Sequence, residues 1–210
     1  FTSLDDSIAE LGWESLRDIL GDIFDEQGVA GENSPEYQSV WISLLKPLAR
    51  MSRDWPISTA PAGFSLTEVV SRAEAALGHF TDHTGRFLPI GDARRHKSPV
   101  PPARNALLVT EEQGFACYTE GDTLLTFNCG HRNYAHKHCD DTSITLSYGG
   151  RPLIIDSGYF GHDWRDERVV YTKSQAAHSG LLLEEFDDLH PGELLFPGRE
   201  ILRGRLEREG

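Results

Sequence analysis

Thr142-Ser143-Ile144-Thr145-Leu146-Ser147-Tyr148, then Gly149-Gly150, then Arg151-Pro152-Leu153-Ile154-Ile155-Asp156 is the stretch on which the fold turns. Two strand-like runs bracket a Gly-Gly turn, which predicts an antiparallel hairpin. His136-Lys137-His138 stands just upstream and His178 downstream. In a strand, residues i and i+2 point to the same face. On a strand His136 and His138 would project side by side, and the hairpin would bring Asp156 up beside them. Two histidines, a carboxylate and a third histidine are metal-ligand types. His138, Asp156 and His178 could form a three-ligand zinc site with water in the fourth position. The same residue types also suit a two-His-one-carboxylate iron centre or a cupin-like barrel, and ligand identity alone does not separate these. They could equally be unrelated polar residues at turns and strand ends.

Around the hairpin, short β-rich runs begin near residue 105: Ala106–Val109, Phe115–Tyr118 and Thr123–Phe127, with Gly180-Leu181-Leu182-Leu183 further on. Their short connections favour antiparallel pairing. Residues 83–104 hold Gly85, Pro89, Gly91, Pro99, Pro101 and Pro102, with Arg94-Arg95-His96-Lys97 among them, and read as a linker with a solvated basic cluster. Before it the period is helical. Ser3 can cap a helix through Leu4, Ile8, Leu11, Leu16, Ile19, Leu20, Ile23 and Phe24, which Gly12 could interrupt. Ser34-Pro35 is a helix start with Ser as N-cap, and Pro47 should kink or end that helix. Ser65-Leu66-Thr67-Glu68 is a capping box for a third helix. The expected organisation is a helical segment over 1–82, a linker over 83–104 and an antiparallel β-domain over 105–210. No internal repeat is evident.

The chain has 210 residues, 39% hydrophobic and 25% charged, which suits one ordinary domain or two small ones. A formal net charge of −13 argues against nucleic acid as the main partner. No apolar run approaches the roughly 20 residues that span a membrane. Cys117, Cys129 and Cys139 are odd in number and lack CxxC spacing, so a disulfide framework is not expected. On a strand, Cys139 would face away from the two histidines. Tyr37 falls in the first turn of a helix, where the dipole stabilises negative charge and would favour a phenolate base. The plainer reading packs Tyr37 against Trp41, one turn on.

Several motifs, in order, resemble the heparinase II/III-like polysaccharide lyases. They are Glu32-Asn33-Ser34-Pro35-Glu36-Tyr37-Gln38, Leu88-Pro89-Ile90-Gly91-Asp92, Ala135-His136-Lys137-His138-Cys139-Asp140-Asp141-Thr142-Ser143, Gly150-Arg151-Pro152-Leu153-Ile154-Ile155-Asp156-Ser157-Gly158 and Ala177-His178-Ser179-Gly180. The resemblance implies an α+β multidomain protein: the C-terminal part of an (α/α) toroid followed by an antiparallel β-sandwich, incomplete here. It implies Tyr37 and His136 as catalytic residues, and His138, Asp156 and His178 as ligands of a mainly structural Zn2+. The implied reaction is β-elimination at a uronic acid of an anionic polysaccharide or oligosaccharide. The implied setting is periplasmic or secreted and bacterial. The family's charge-neutralising Asn and its partner His belong well upstream of the tyrosine, and no Asn-His pair stands among the 36 residues before Tyr37. The chain is therefore expected to be a fragment with little activity of its own. The competing readings are a zinc-stabilised, non-catalytic carbohydrate-binding module and a cupin-like metal oxygenase. The particular polymer, the endo or exo mode, the identity of the base and the oligomeric state have no signature in these residues.

Overall fold

The computed structural model describes residues 6–54, 60–186, 189–195 and 204–207. Three helices come first: α1 (Asp6–Ile23), α2 (Pro35–Asp54) and α3 (Leu66–His79). The expected cap Ser3 and the apolar Leu4 lie outside the described residues. Gly12 does not interrupt α1; its cost of about 1 kcal/mol is one that a helix of 18 residues absorbs. Helix α2 runs through Pro47. The missing N–H strands the carbonyl of Ser43, but Ser43 and Pro47 are both on the exposed side, where water can satisfy it. Pro35 opens α2 as expected, yet Ser34 does not cap with its side chain. Its carbonyl accepts from Gln38 N (3.1 Å), while its buried hydroxyl has no partner among the described residues. Ser65 does cap α3, accepting from the Glu68 amide at 3.3 Å.

Leu20, Phe24, Ile42, Leu45, Ala49, Val69, Val70, Ala73 and Leu77 form one helical core. Gln38 is buried inside it and fully used: its amide donates to the carbonyls of Gly28 (3.2 Å) and Ala73 (2.8 Å) and accepts from Ala30 N (3.1 Å). That clamps α2, α3 and the α1–α2 turn together. The opposite faces are bare. Ile8, Leu11 and Ile19 on α1, and Val40, Leu44 and Leu48 on α2, stand exposed at helical spacing.

Five strands follow: β1 (Ala106–Thr110), β2 (Phe115–Glu120), β3 (Thr123–Asn128), β4 (Ser143–Tyr148) and β5 (Arg151–Ile154). They pair in sequence order as one antiparallel meander, β5 shifting register at Leu146/Ser147. Alternation gives the sheet two faces. Leu108, Phe115, Cys117 and Leu124 pack inward with Val29, Ala76, Phe80, Leu88 and Ile90. Leu107, Tyr118 and Leu125, in register across β1 to β3, point outward and are exposed. The described residues form this single sheet and no second layer over that outer face.

Three local expectations are corrected. Residues 180–183 are not a strand. Leu181, Leu182 and Leu183 are exposed, and the chain here bonds to the start of β4 irregularly: Ser179 O accepts from Ile144 N (3.1 Å) and Leu181 N donates to Thr142 Oγ1 (2.8 Å). His136 and His138 are not on a strand either but in the irregular 129–142 connection between β3 and β4. The span read as a linker is built into the core, with Phe87, Leu88, Ile90, Ala93 and Val100 buried. Its basic cluster is exposed over 94–97 as expected, with Arg94 pairing with Glu36 at 3.1 Å and Arg95 with buried Asp82. No described helix is long and apolar enough to cross a membrane.

Candidate functional site

Four segments converge: the start of α2, residues 91–92, the 129–142 connection, and the chain from Asp156 to His178. Tyr37 stacks flat on His136, ring centroids 3.5 Å apart and planes 16° from parallel. Trp41, its expected neighbour, instead donates its indole N–H to Glu32 Oε1 at 2.6 Å. The helix dipole does not make Tyr37 a phenolate. Burial, followed by the charges of Asp92, Tyr159, Glu32 and Glu36, raises the phenol above its ordinary value. At neutral pH Tyr37 holds its proton, which suits an acid. Its Oη lies 3.5 Å from His162 Nε2.

His136 has a left-handed backbone (φ 56°), as does Asn33 opposite it (φ 53°). Strained backbone of this kind persists only where its surroundings hold it. Asn33 Nδ2 supplies the hold, donating to the carbonyls of Asn133 (2.8 Å) and Ala135 (2.9 Å), a hundred residues away in sequence. Gly91 is the third party. Its φ is +54°, and a Cβ there would lie 2.2 Å from Asn33 O and 3.0 Å from His136 O. Gly91→Ala should therefore cost about 2–4 kcal/mol, the left-handed penalty plus forced backbone separation. Urea unfolding measures it, and a loss under about 1 kcal/mol would mean the contact is not tight.

His138, Asp156 and His178 do come together. One ligand atom from each lies within 4.8 Å of the others. All three side chains are buried. His178 Nδ1 meets Asp156 Oδ2 at 2.8 Å, and Asp156 Oδ1 accepts from Gly158 N at 3.1 Å. Burial lowers the His138 imidazole. Burial also pulls His178 down, but Asp156 overcomes this and leaves it above the ordinary histidine value. Each ring keeps one buried nitrogen, His138 Nδ1 and His178 Nε2, with no hydrogen-bond partner among the described residues. Buried polar atoms are rarely left so, and two bare imidazole nitrogens beside a carboxylate are a donor set that fits zinc. Cys139 is outside this group, and burial pushes its thiol up to about 12, far from a thiolate ligand.

Two residues that spacing had not singled out sit at the centre. Asp92 Oδ2 faces His136 Nδ1 at 3.0 Å, and Asp92 Oδ1 faces His138 Nε2 at 2.9 Å and Lys173 Nζ at 2.5 Å. Burial pushes the Asp92 carboxyl up, but the hydrogen bonds from His136, His138 and Lys173 outweigh it and hold the group well below the usual carboxylate range. Gly91-Asp92 was visible as a motif, but nothing in the spacing connects it to residues 136 and 138. Lys173, buried on α4 (Glu167–Lys173), gave no signal. Asp92, His136, His162, Trp164 and Lys173 line an open cleft of about 170 Å³.

The C-terminal region defined for the heparinase II/III-like family matches residues 103–207, half of the chain. The chain belongs to the heparinase II/III-like family. Among solved structures, this family member is similar to a heparan sulfate lyase, HepC, from Pedobacter heparinus. The TM-score is 0.70 at 14% identity, over 87% of this chain and 34% of that one. A heparinase III crystal structure matches with a TM-score of 0.66 and 15% identity, over 89% of this chain and 36% of the other. A heparinase III with methylated lysines matches with a TM-score of 0.67 and 13% identity, over 82% and 32%. At these identities the likeness is one of fold, and the chain spans about a third of each solved structure. No curated protein matches the sequence. The heparinase II/III-like region thus contains His136, His138, Asp156 and His178, while Tyr37 and Asp92 precede it.

Proposed function

We propose that this heparinase II/III-like chain carries the acid–base half of a polysaccharide lyase that cuts a uronic-acid-containing glycan by β-elimination. The observation that carries the reading is the Tyr37–His136 stack, a protonated phenol laid against an imidazole that lines an open cleft. β-Elimination needs a base to take the C5 proton and an acid to protonate the departing glycosidic oxygen. His136 Nε2 takes the proton as the C4–oxygen bond breaks and a C4=C5 double bond forms. Tyr37 Oη gives its proton to the leaving oxygen. The sugar carboxylate must be neutralised to stabilise the enolate-like intermediate, and no described residue is assigned that task. The similar structure named as a heparan sulfate lyase supports an anionic glycan as substrate.

His138, Asp156 and His178 would hold Zn2+, whose contribution is structural, cross-linking the 129–142 connection to the chain beyond β5. The bare faces of α1 and α2 support these helices being the end of an (α/α) toroid, and the exposed outer sheet face supports a second β-layer completing a sandwich. The same bare faces favour a chain that is inactive, or nearly so, when alone. The open meander does not favour a cupin-like barrel, which closes on itself.

The test is new absorbance from the unsaturated uronate product, measured on this chain and on a longer protein that contains it. The longer protein should turn over and this chain should not. In the longer protein, Tyr37→Phe should lower kcat by about 10²–10⁴-fold with polymer binding retained. Unchanged turnover in that variant would remove Tyr37 from the chemistry, and strong turnover by this chain alone would refute its incompleteness.

A further inference from the structure

We propose that Asp92 is a positioning residue that fixes the tautomers of two imidazoles at once, leaving Nε2 bare on His136, which lines the cleft, and Nδ1 bare on His138, which is grouped with Asp156 and His178. The significance of the two bare nitrogens rests on the lyase reading, but the tautomers themselves do not.

The argument begins with a carboxylate divided between two rings. Asp92 Oδ2 lies 3.0 Å from His136 Nδ1 and Asp92 Oδ1 lies 2.9 Å from His138 Nε2. An ionised carboxylate only accepts, so each facing ring nitrogen must carry the hydrogen. A neutral imidazole has one N–H, and the other nitrogen is then a lone pair. The two histidines present different nitrogens to the same carboxylate, so they are left with different nitrogens bare. Two residues apart in sequence, they are sorted into separate tasks by one side chain.

Competing partners exist for both rings. His136 Nε2 is 3.6 Å from Glu32 Oε2, beyond hydrogen-bond reach, while Glu32 Oε1 is occupied by the Trp41 indole. His138 Nε2 is also 3.1 Å from Lys173 Nζ, which could donate to it instead. That alternative would put the hydrogen on His138 Nδ1, a buried atom with no partner among the described residues. A buried N–H without an acceptor is strongly disfavoured. Lys173 has Asp92 Oδ1 at 2.5 Å for its ammonium and does not need the imidazole. Lys173 instead balances the charge of a carboxylate that is only 4% exposed.

The experiment is long-range 1H–15N correlation NMR on the 15N-histidine-labelled chain without added metal, in mildly alkaline buffer where free imidazole is neutral. Of the nine histidines, His136 should show hydrogen on Nδ1 and His138 on Nε2. In Asp92→Asn the amide oxygen accepts from one ring only, so one of the two should switch tautomer while the other seven histidines keep theirs. A carboxylate serving only to stabilise the fold would leave both tautomers unchanged and move only the melting temperature. Hydrogen on His136 Nε2 or on His138 Nδ1 would overturn the proposal in the unaltered chain alone, whether or not the variant folds. None of these outcomes depends on turnover, so failure of the lyase reading leaves the result intact.

Discussion

Lys137→Met is expected to destabilise the chain by about 3–5 kcal/mol, the cost of leaving buried charge without its partner. Lys137 lies between the two site histidines, is only 3% exposed, and turns its ammonium to two carboxylates. Its ammonium pairs with Asp140 and, at 2.9 Å, with Asp141. Asp140 also accepts from Asn128 Nδ2 at 2.6 Å, and Asp141 from the amides of Gly130 (3.0 Å) and Gly204 (2.7 Å). This one lysine neutralises two carboxylates that bind the end of β3 to the turn before β4. Burial lowers the lysine, but Asp140 and Asp141 overcome it and raise the ammonium above the ordinary lysine range. Methionine keeps the length of the stem, so the loss reports charge and not a cavity.

The pH dependence has a definite sign. A raised lysine contributes stability that is complete below its unfolded value, about 10.4, and is lost only as pH climbs through the folded value. Asp141 behaves in the opposite sense. Burial pushes it up, but Lys137 and the two backbone amides hold it below the ordinary range, so its contribution is present above about pH 4 and lost as pH falls. The gap between Lys137→Met and the unaltered chain should be full in mildly alkaline buffer and close as pH falls, because the stranded carboxylates of the variant relieve their cost by taking up protons. Urea midpoints from mildly alkaline to acid pH measure it. A gap under about 1 kcal/mol at neutral pH, or one that widens in acid, would refute the account.

Legibility in the sequence followed the range of the cause. The three helices and the meander are written in local periodicity, and the Ser65 cap and the Gly149-Gly150 turn in local chemistry. Pro47 does not end α2, because the carbonyl it strands lies on the exposed side, and the sequence pattern does not say which face a proline will take. Ser34 misled because composition cannot say whether a hydroxyl or a carbonyl will meet the helix. The 83–104 span misled because Pro and Gly punctuation looks the same on a loose linker as on a segment threaded through a core. In the site, the grouping of His138, Asp156 and His178 was readable, but the reason offered was wrong. The histidines share no strand, and they meet Asp92 through different ring nitrogens, His136 Nδ1 and His138 Nε2. Asp92 and Lys173 stayed hidden because their partners are 44 to 81 residues away, and only folding brings them to one carboxylate.

Zinc ion is expected to raise the melting temperature of this chain markedly. A metal that binds only the folded state, present at about a thousand times its dissociation constant, stabilises by about 4 kcal/mol. For a chain of this size that is roughly 8–16 °C. The gain should vanish in His178→Ala, which removes one bare nitrogen and the partner of Asp156, and persist in His190→Ala, whose imidazole lies beside Trp164 instead. Because His178→Ala also breaks a buried hydrogen bond, the quantity to compare is the zinc-dependent shift within each variant, not the melting temperatures themselves. An equal shift in His178→Ala and the unaltered chain would place the metal elsewhere, and no shift in the unaltered chain would dismiss the metal centre. The shift also bears on the acid–base pair. His138 is joined to His136 by a single intervening residue and shares Asp92 with it. A metal that immobilises His138 therefore narrows the positions open to the ring stacked on Tyr37, and chelation should loosen that stack without touching either member of it.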